Sequence, residues 1–156
     1  MGFPQHQLLH ERQYLSQELD ATEKHEFVDG VAYAMAGASE RHNRIALNCA
    51  VTLRMATRGT SCGVYIADMK LRLAQGRVFY YPDVMLSCEP APADALFKEA
   101  PCLIAEVLSP STAGTDTREK LQAYRAIESL RYYLVIDSER VALTYYSRSS
   151  GGEWLT

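Results

Sequence analysis

The sequence predicts a mixed α/β fold of the α+β kind: one domain with a mixed central sheet flanked by helices. Three observations predict it. Positions 42, 45, 46, 49, 53 and 56 put His42, Ile45, Ala46, Cys49, Leu53 and Ala56 on one stripe at helical spacing. VYIADMKLRL (64–73) alternates as a strand does. CLIAEVL (102–108) is apolar on both faces, as a central strand must be. A helix, three strands, a second helix and one or two more strands follow in order, which layers helices on one sheet. The 156 residues suit a single domain with a real core, and 47% hydrophobic content is ordinary for a globule.

The elements follow along the chain. Residues 7–19 read as a short helix with Leu8, Leu9 and Leu15 apolar and Tyr14 beside them. Residues 25–36 read as a hairpin: Phe27 and Val28, a turn at Asp29-Gly30, then Val31, Tyr33 and Met35. Ser39 can cap a helix running to about Arg58, with Gly59 just beyond. The phase of 64–73 shifts near Asp68, which predicts a bulge or break. Ala74-Gln75-Gly76-Arg77 turns the chain, and VFYYPDVML (78–86) returns as the next strand. EPAPADALFKEAP (89–101) is a loop, and SPSTAGT leads from the central strand into a helix at roughly 116–128. RYYLVID (131–137) and VALTYYS (141–147) are two further strands.

Several function classes lose support. A net charge of −3 and a pI near 5.8 give no basic footprint, so bulk electrostatics do not argue for nucleic acid, although a local patch would suffice. Cys49, Cys62, Cys88 and Cys102 are scattered without a C-x-x-C, and read as reduced thiols of a cytoplasmic protein. No apolar run reaches membrane-spanning length, and the N-terminus lacks a secretory core. His6 and His10 lack the glutamate and third ligand of a zinc motif. No glycine-rich phosphate loop appears, and Ser109 and Ser111 lack a nucleophile-elbow context. Ser109, Ser111 and Thr112 read as bonding loop backbone beside an acidic site.

That acidic site starts from Glu106, a carboxylate inside the apolar run of 102–108. Burying an ionised carboxylate unpaired is costly, so an acid in such a run has a task or a partner. With period two, Glu106 shares a face with Cys102, Ile104 and Leu108. Asp83 follows Pro82 in the preceding strand, where a proline marks an edge or an opening. If the two strands are neighbours, Asp83 and Glu106 converge, and two close carboxylates need a shared proton or a cation. Oxygen ligands with few protein contacts suit Mg²⁺ or Mn²⁺. The competing structural readings are a Glu106 satisfied by an arginine or backbone amides, and an everyday Pro-Asp turn. Asp116-x-x-Glu119 fits a capping box. Lys120 and Tyr124 lie one helical turn apart, with Leu121 and Ile127 set to pack on the sheet. Lys120 could reach the end of the Glu106 strand and stabilise charge on a phosphate, but spacing alone favours a solvated lysine.

The pattern HEFVDG, a histidine, YPDVML, LIAEVLSPST, then D-x-x-x-K-x-x-x-Y and RYYLVID resembles the Uma2 endonuclease family, formerly a domain of unknown function. That family is similar to the PD-(D/E)xK restriction-endonuclease-like superfamily, and the match spans residues 10–150 or so. The resemblance implies a restriction-endonuclease-like core with an N-terminal β-hairpin, and a Mg²⁺- or Mn²⁺-dependent phosphodiesterase. It assigns Asp83 as the first acid, Glu106 as the second and Lys120 as a lysine moved from the strand to the following helix. The usual E-x-K would put lysine at position 108, where this chain has Leu108. Glu26 matches an acid near the family's start, a further ligand or water-orienting group. His42 matches a histidine opening the long helix, which would contact a phosphate or a base edge; a satisfied histidine at a helix start is the physical alternative. Tyr133 and Ser129 replace a family tryptophan and glycine, and the family usually runs on beyond Glu153–Thr156 with further strands, which implies a short or trimmed chain. His42, Arg44, Ser109 and Tyr124 are the candidate substrate contacts. Arg41 and Arg44 lie with Arg54 and Arg58 along the long helix, the last two better read as a solvated face. The expected partner is nucleic acid, DNA first, with a homodimer formed through the tyrosine-rich strands 131–137 and 141–147. Two rival readings stay open: an inactive nuclease-like binding module, and a metal-dependent hydrolase of a small phosphorylated substrate.

Overall fold

The structure is a computed structural model that describes residues 8–110 and 116–156. Its strands fall into two mixed sheets rather than the one sheet expected. The chain divides into two compact units, Met1–Gly37 with Arg72–Tyr80, and Ala38–Leu71 with Tyr81–Thr156.

In the first unit, helix α1 (Glu11–Asp20) precedes the hairpin β1 (His25–Val28) and β2 (Val31–Ala34). Asp29 and Gly30 have φ of 44° and 93°, the double positive φ of a two-residue turn. Strand β5 (Val78–Tyr80) pairs antiparallel with β1. Tyr14, Phe27 and Phe79 make the core, with the Tyr14 and Phe27 ring centroids 4.7 Å apart. The Tyr14 hydroxyl donates to the His25 carbonyl at 2.7 Å, so α1 is tied to the hairpin by a ring and a bond together. The Arg72 guanidinium bonded to Glu11 holds that carboxyl below its ordinary value.

The second unit carries the longer sheet. Helix α2 (Glu40–Ala56) starts where Ser39 Oγ accepts the His42 N–H at 3.2 Å, as the cap reading requires. Strands β3 (Gly63–Ile66), β6 (Val84–Ser87), β8 (Pro101–Leu108), β9 (Tyr132–Asp137), β10 (Leu143–Arg148) and β11 (Trp154–Leu155) lie in the order β11-β10-β9-β8-β6-β3. Strand β8 is central, antiparallel to β6 and parallel to β9. A parallel pair needs a crossover, and helix α3 (Asp116–Arg125) supplies it. The start of β4 (Lys70–Leu73) pairs in parallel with the two-residue β7 (Phe97–Lys98). One face of the long sheet is sealed by α2: Ala50 packs with Val84 and Ala105, and Ala46, Cys49 and Leu53 surround them. On β10, Tyr145 remains largely exposed and stacks on the exposed Tyr132 at 6.0 Å.

Three boundaries have identifiable reasons. The run 64–73 breaks into β3 and β4 near Asp68, as its phase shift indicated, with Ala67 at φ 30°. The run 78–86 is two strands, β5 and β6, in different sheets; Pro82 has no N–H for a ladder and the chain leaves one sheet there. Helix α3 ends at Arg125, after which Arg148 donates to the carbonyls of Arg125, Ile127 and Glu128. The side chain of Asp116, and with it the capping box, lies outside the described residues, as do Ser111 and Thr112.

The cysteine reading is corrected in part. Cys62, just before β3, is disulfide-bonded to Cys88, just after β6, while Cys49 and Cys102 are free thiols raised by burial. Gly63 and Ser87 are partners in the β3–β6 ladder, so the two flanking cysteines face each other. A sequence separation of 26 gives no local signal for that pairing. Closing a loop of that length constrains the unfolded chain by about 3.5 kcal/mol. Dithiothreitol is therefore expected to lower the urea midpoint of the wild type, and Cys88→Ser to reproduce the loss without reductant. A midpoint indifferent to both would deny the bond. No helix among the described residues is long and apolar enough to cross a membrane.

Candidate active site

The site is built where β6 begins. Val84 pairs with Ala105, so the next step of the antiparallel register sets Asp83 beside Glu106. Pro82 ends the ladder, and the Asp83 side chain takes over its role: the Val107 N–H donates to Asp83 Oδ2 at 2.8 Å. In return the Asp83 N–H points to Glu106 Oε2 at 3.4 Å. The two strands thus exchange bonds through their acids, and the carboxylates are held side by side.

Alternation along β8 turns Glu106 away from the α2 face that Ala105 occupies, toward α3. There the Tyr124 hydroxyl donates to Glu106 Oε1 at 2.6 Å, and Lys120 Nζ lies 3.8 Å from the same oxygen. Glu106, Lys120 and Tyr124 are 7%, 8% and 0% exposed, so water screens none of them well. His42, in the first turn of α2, brings Nε2 to 3.3 Å from Asp83 Oδ2. Burial pushes the Glu106 carboxyl up to about 7, and the Asp83 charge adds to the rise. The Lys120 charge and the Tyr124 bond oppose it without cancelling it.

Most of the residues read as site candidates meet here. Asp83, Glu106, Lys120, Tyr124 and His42 form one cluster. Lys120 is buried and paired with Glu106, not the solvated lysine that spacing favoured. Glu106 has a lysine as its charged neighbour, not an arginine. Tyr124 is fully buried, and its hydroxyl is bonded to Glu106. The linear pattern misses this because i, i+4 spacing names the shared helix face but not what that face meets. The His42 contact with Asp83 was equally hidden, since α2 and β6 are distant in sequence. Ser109 is half-buried just beyond β8. Arg44 is solvent-exposed and pairs with Glu40 at 3.4 Å, while Arg41 reaches Glu139 at 3.3 Å. Glu26 belongs to the other unit, on β1 opposite Tyr33.

The groups that could hold an ion here are the oxygens of Asp83 and Glu106. Among the described residues no three or more His, Cys, Asp or Glu side chains are grouped to hold a metal, as a closed zinc site would need. Mg²⁺ asks for one or two carboxylates and fills its remaining positions with water and phosphate oxygens. The adjoining carboxylates of Asp83 and Glu106 could supply such a set.

A central strand carrying an inward acid, a second acid entering from its antiparallel neighbour and a crossover helix with a lysine sit on a mixed α+β fold that is similar to that of a solved nuclease-type structure. The chain belongs to the Uma2 family, whose model, described as a putative restriction endonuclease, matches residues 11–156. Uncharacterized protein sll1609 of Synechocystis sp. is 38% identical over 146 residues, covering 92% of this chain and 82% of that protein. Uncharacterized protein slr1290 of the same organism is 33% identical over 144 residues, covering 92% and 76%. Among solved structures, the crystal structure of a putative nuclease belonging to DUF820 from Anabaena variabilis matches with a TM-score of 0.71 at 15% identity. It covers 94% of this chain and 83% of its own, a likeness of fold.

Proposed function

We propose that the protein is a metal-dependent endonuclease that hydrolyses phosphodiester bonds of nucleic acid, DNA first. The observation that carries this reading is the side-by-side pair Asp83 and Glu106, with Lys120 at 3.8 Å. Family membership and the nuclease-like fold support it. Asp83 and Glu106 would hold Mg²⁺ or Mn²⁺; bound there, the ion supplies an acidified water and polarises the phosphate. The chain's own groups do the rest. Lys120 offers a fixed positive charge where negative charge develops on the phosphate. His42, its side chain 14% exposed and 3.3 Å from Asp83, would meet a phosphate oxygen entering beside that acid. Asp83 stays oriented because its Oδ2 accepts the Val107 N–H, and the His42 ring lies 3.3 Å from the same oxygen.

A supercoiled plasmid, a single-stranded oligonucleotide and an RNA of the same sequence, each with Mg²⁺, Mn²⁺, Ca²⁺ or EDTA, test it. Nicking that requires Mg²⁺ or Mn²⁺ and stops in EDTA is the expected result. Hydrolysis confined to small phosphate esters would favour the small-substrate hydrolase, and binding of nucleic acid without cleavage would favour the inactive module.

A further inference from the structure

Glu106 presents its two oxygens to different neighbours. Oε1 accepts the Tyr124 hydroxyl at 2.6 Å and faces Lys120 Nζ at 3.8 Å, while Oε2 faces Asp83. We infer that Tyr124 is a positioning residue that reserves Oε1 for the protein, so that Glu106 offers a cation one oxygen and the acid pair accommodates one ion, not two. The inference rests on the metal-dependent reading above.

The surroundings make Tyr124 rigid enough for that work. Its ring is fully buried and meets Tyr133 edge-on, with centroids 5.2 Å apart. Tyr133 stacks in turn on Tyr146 at 5.7 Å, and the Arg125 guanidinium lies 5.4 Å from the Tyr146 ring. The hydroxyl therefore comes from a packed row of rings spanning α3, β9 and β10. A charge-assisted bond from a fixed phenol is short and strong, and it stops the carboxylate turning about its own axis. Oε1 already has the phenol at 2.6 Å and the ammonium at 3.8 Å, and both would disfavour a second ion at that oxygen. Partners behind a ligand of this kind typically carry about 10- to 100-fold of metal affinity.

Mn²⁺ alone is the probe, titrated into the full chain and followed by the electron paramagnetic resonance of the free ion. The wild type is expected to take one Mn²⁺ per chain. Tyr124→Phe keeps the ring packing and removes only the hydroxyl. It should weaken that ion about 10-fold or more, with a thermal midpoint that shows the fold intact. Glu106→Gln should lose the ion. Two ions on the wild type, or Mn²⁺ affinity in Tyr124→Phe equal to the wild type while Glu106→Gln fails to bind, overturns the positioning role and leaves the metal reading standing. A wild type that takes no Mn²⁺, or a Glu106→Gln that takes it unchanged, overturns both.

Discussion

Glu106→Gln is expected to reduce Mg²⁺-dependent cleavage by at least about 1,000-fold, because the pair then has one charge left for the ion and the nucleophile is lost with it. The same variant should gain stability at alkaline pH in EDTA. Glu106 is raised in the folded protein to about 7 from an ordinary 4.5. The folded chain therefore keeps a proton that the unfolded chain gives up first. Its contribution is fully present below about pH 4.5 and is lost as pH rises through about 7, leaving a penalty of about 3 kcal/mol at pH 8. Glutamine mimics the protonated acid and does not titrate. Urea midpoints of the two proteins should accordingly be close near pH 4.5 and diverge toward pH 8 in favour of the variant. Mg²⁺ should reduce the gap by favouring the ionised form. Parallel stability curves across that range would mean that the carboxyl is not held high. Cleavage above about a hundredth of the wild-type rate would remove Glu106 from the chemistry.

Lys120→Met has the second large effect, and with the opposite sign on stability. Single-turnover cleavage should fall about 100- to 1,000-fold, the usual loss of one fixed group facing developing charge. Stability in EDTA should also fall above pH 7, since the ionised Glu106 loses the charge that opposes its rise. Lys120→Arg should restore little of either, because a planar guanidinium does not fit where the ammonium is 8% exposed. Lys120→Met should cost less stability in the Glu106→Gln background than in the wild type, the mark of a direct interaction. An equal cost in both backgrounds would show that the 3.8 Å approach carries no energy.

How much of this was legible before folding differs from residue to residue. An acid inside CLIAEVL could be singled out from the chain alone, because desolvation makes such a placement expensive wherever the strand ends up. The break at Asp68, the Asp29-Gly30 turn and the Ser39 cap were equally readable, since each is set by residues that touch in sequence. Pro82 was read as an opening but not as a change of sheet, because a proline forbids a bond without saying where the chain goes next. The Cys62–Cys88 bond depends on which strand lies beside β3, and no local pattern encodes that. That the Tyr124 hydroxyl bonds Glu106 was not legible, because a phenol serves a substrate or a carboxylate equally well until its surroundings are known.

By itself, then, the sequence determined most of the helices and strands, the buried acid, the acid after the proline and the helix carrying Lys120 and Tyr124. Those features follow from short-range sterics, capping and the cost of burying charge, which act over a few residues. Only the tertiary structure decided that Val84 pairs with Ala105, that Asp83 therefore adjoins Glu106, and that α3 brings a phenol and an ammonium to one carboxylate oxygen. Strand register and crossover placement are settled by long-range packing of whole faces, and a shift of one residue would have sent Glu106 to the side that α2 seals.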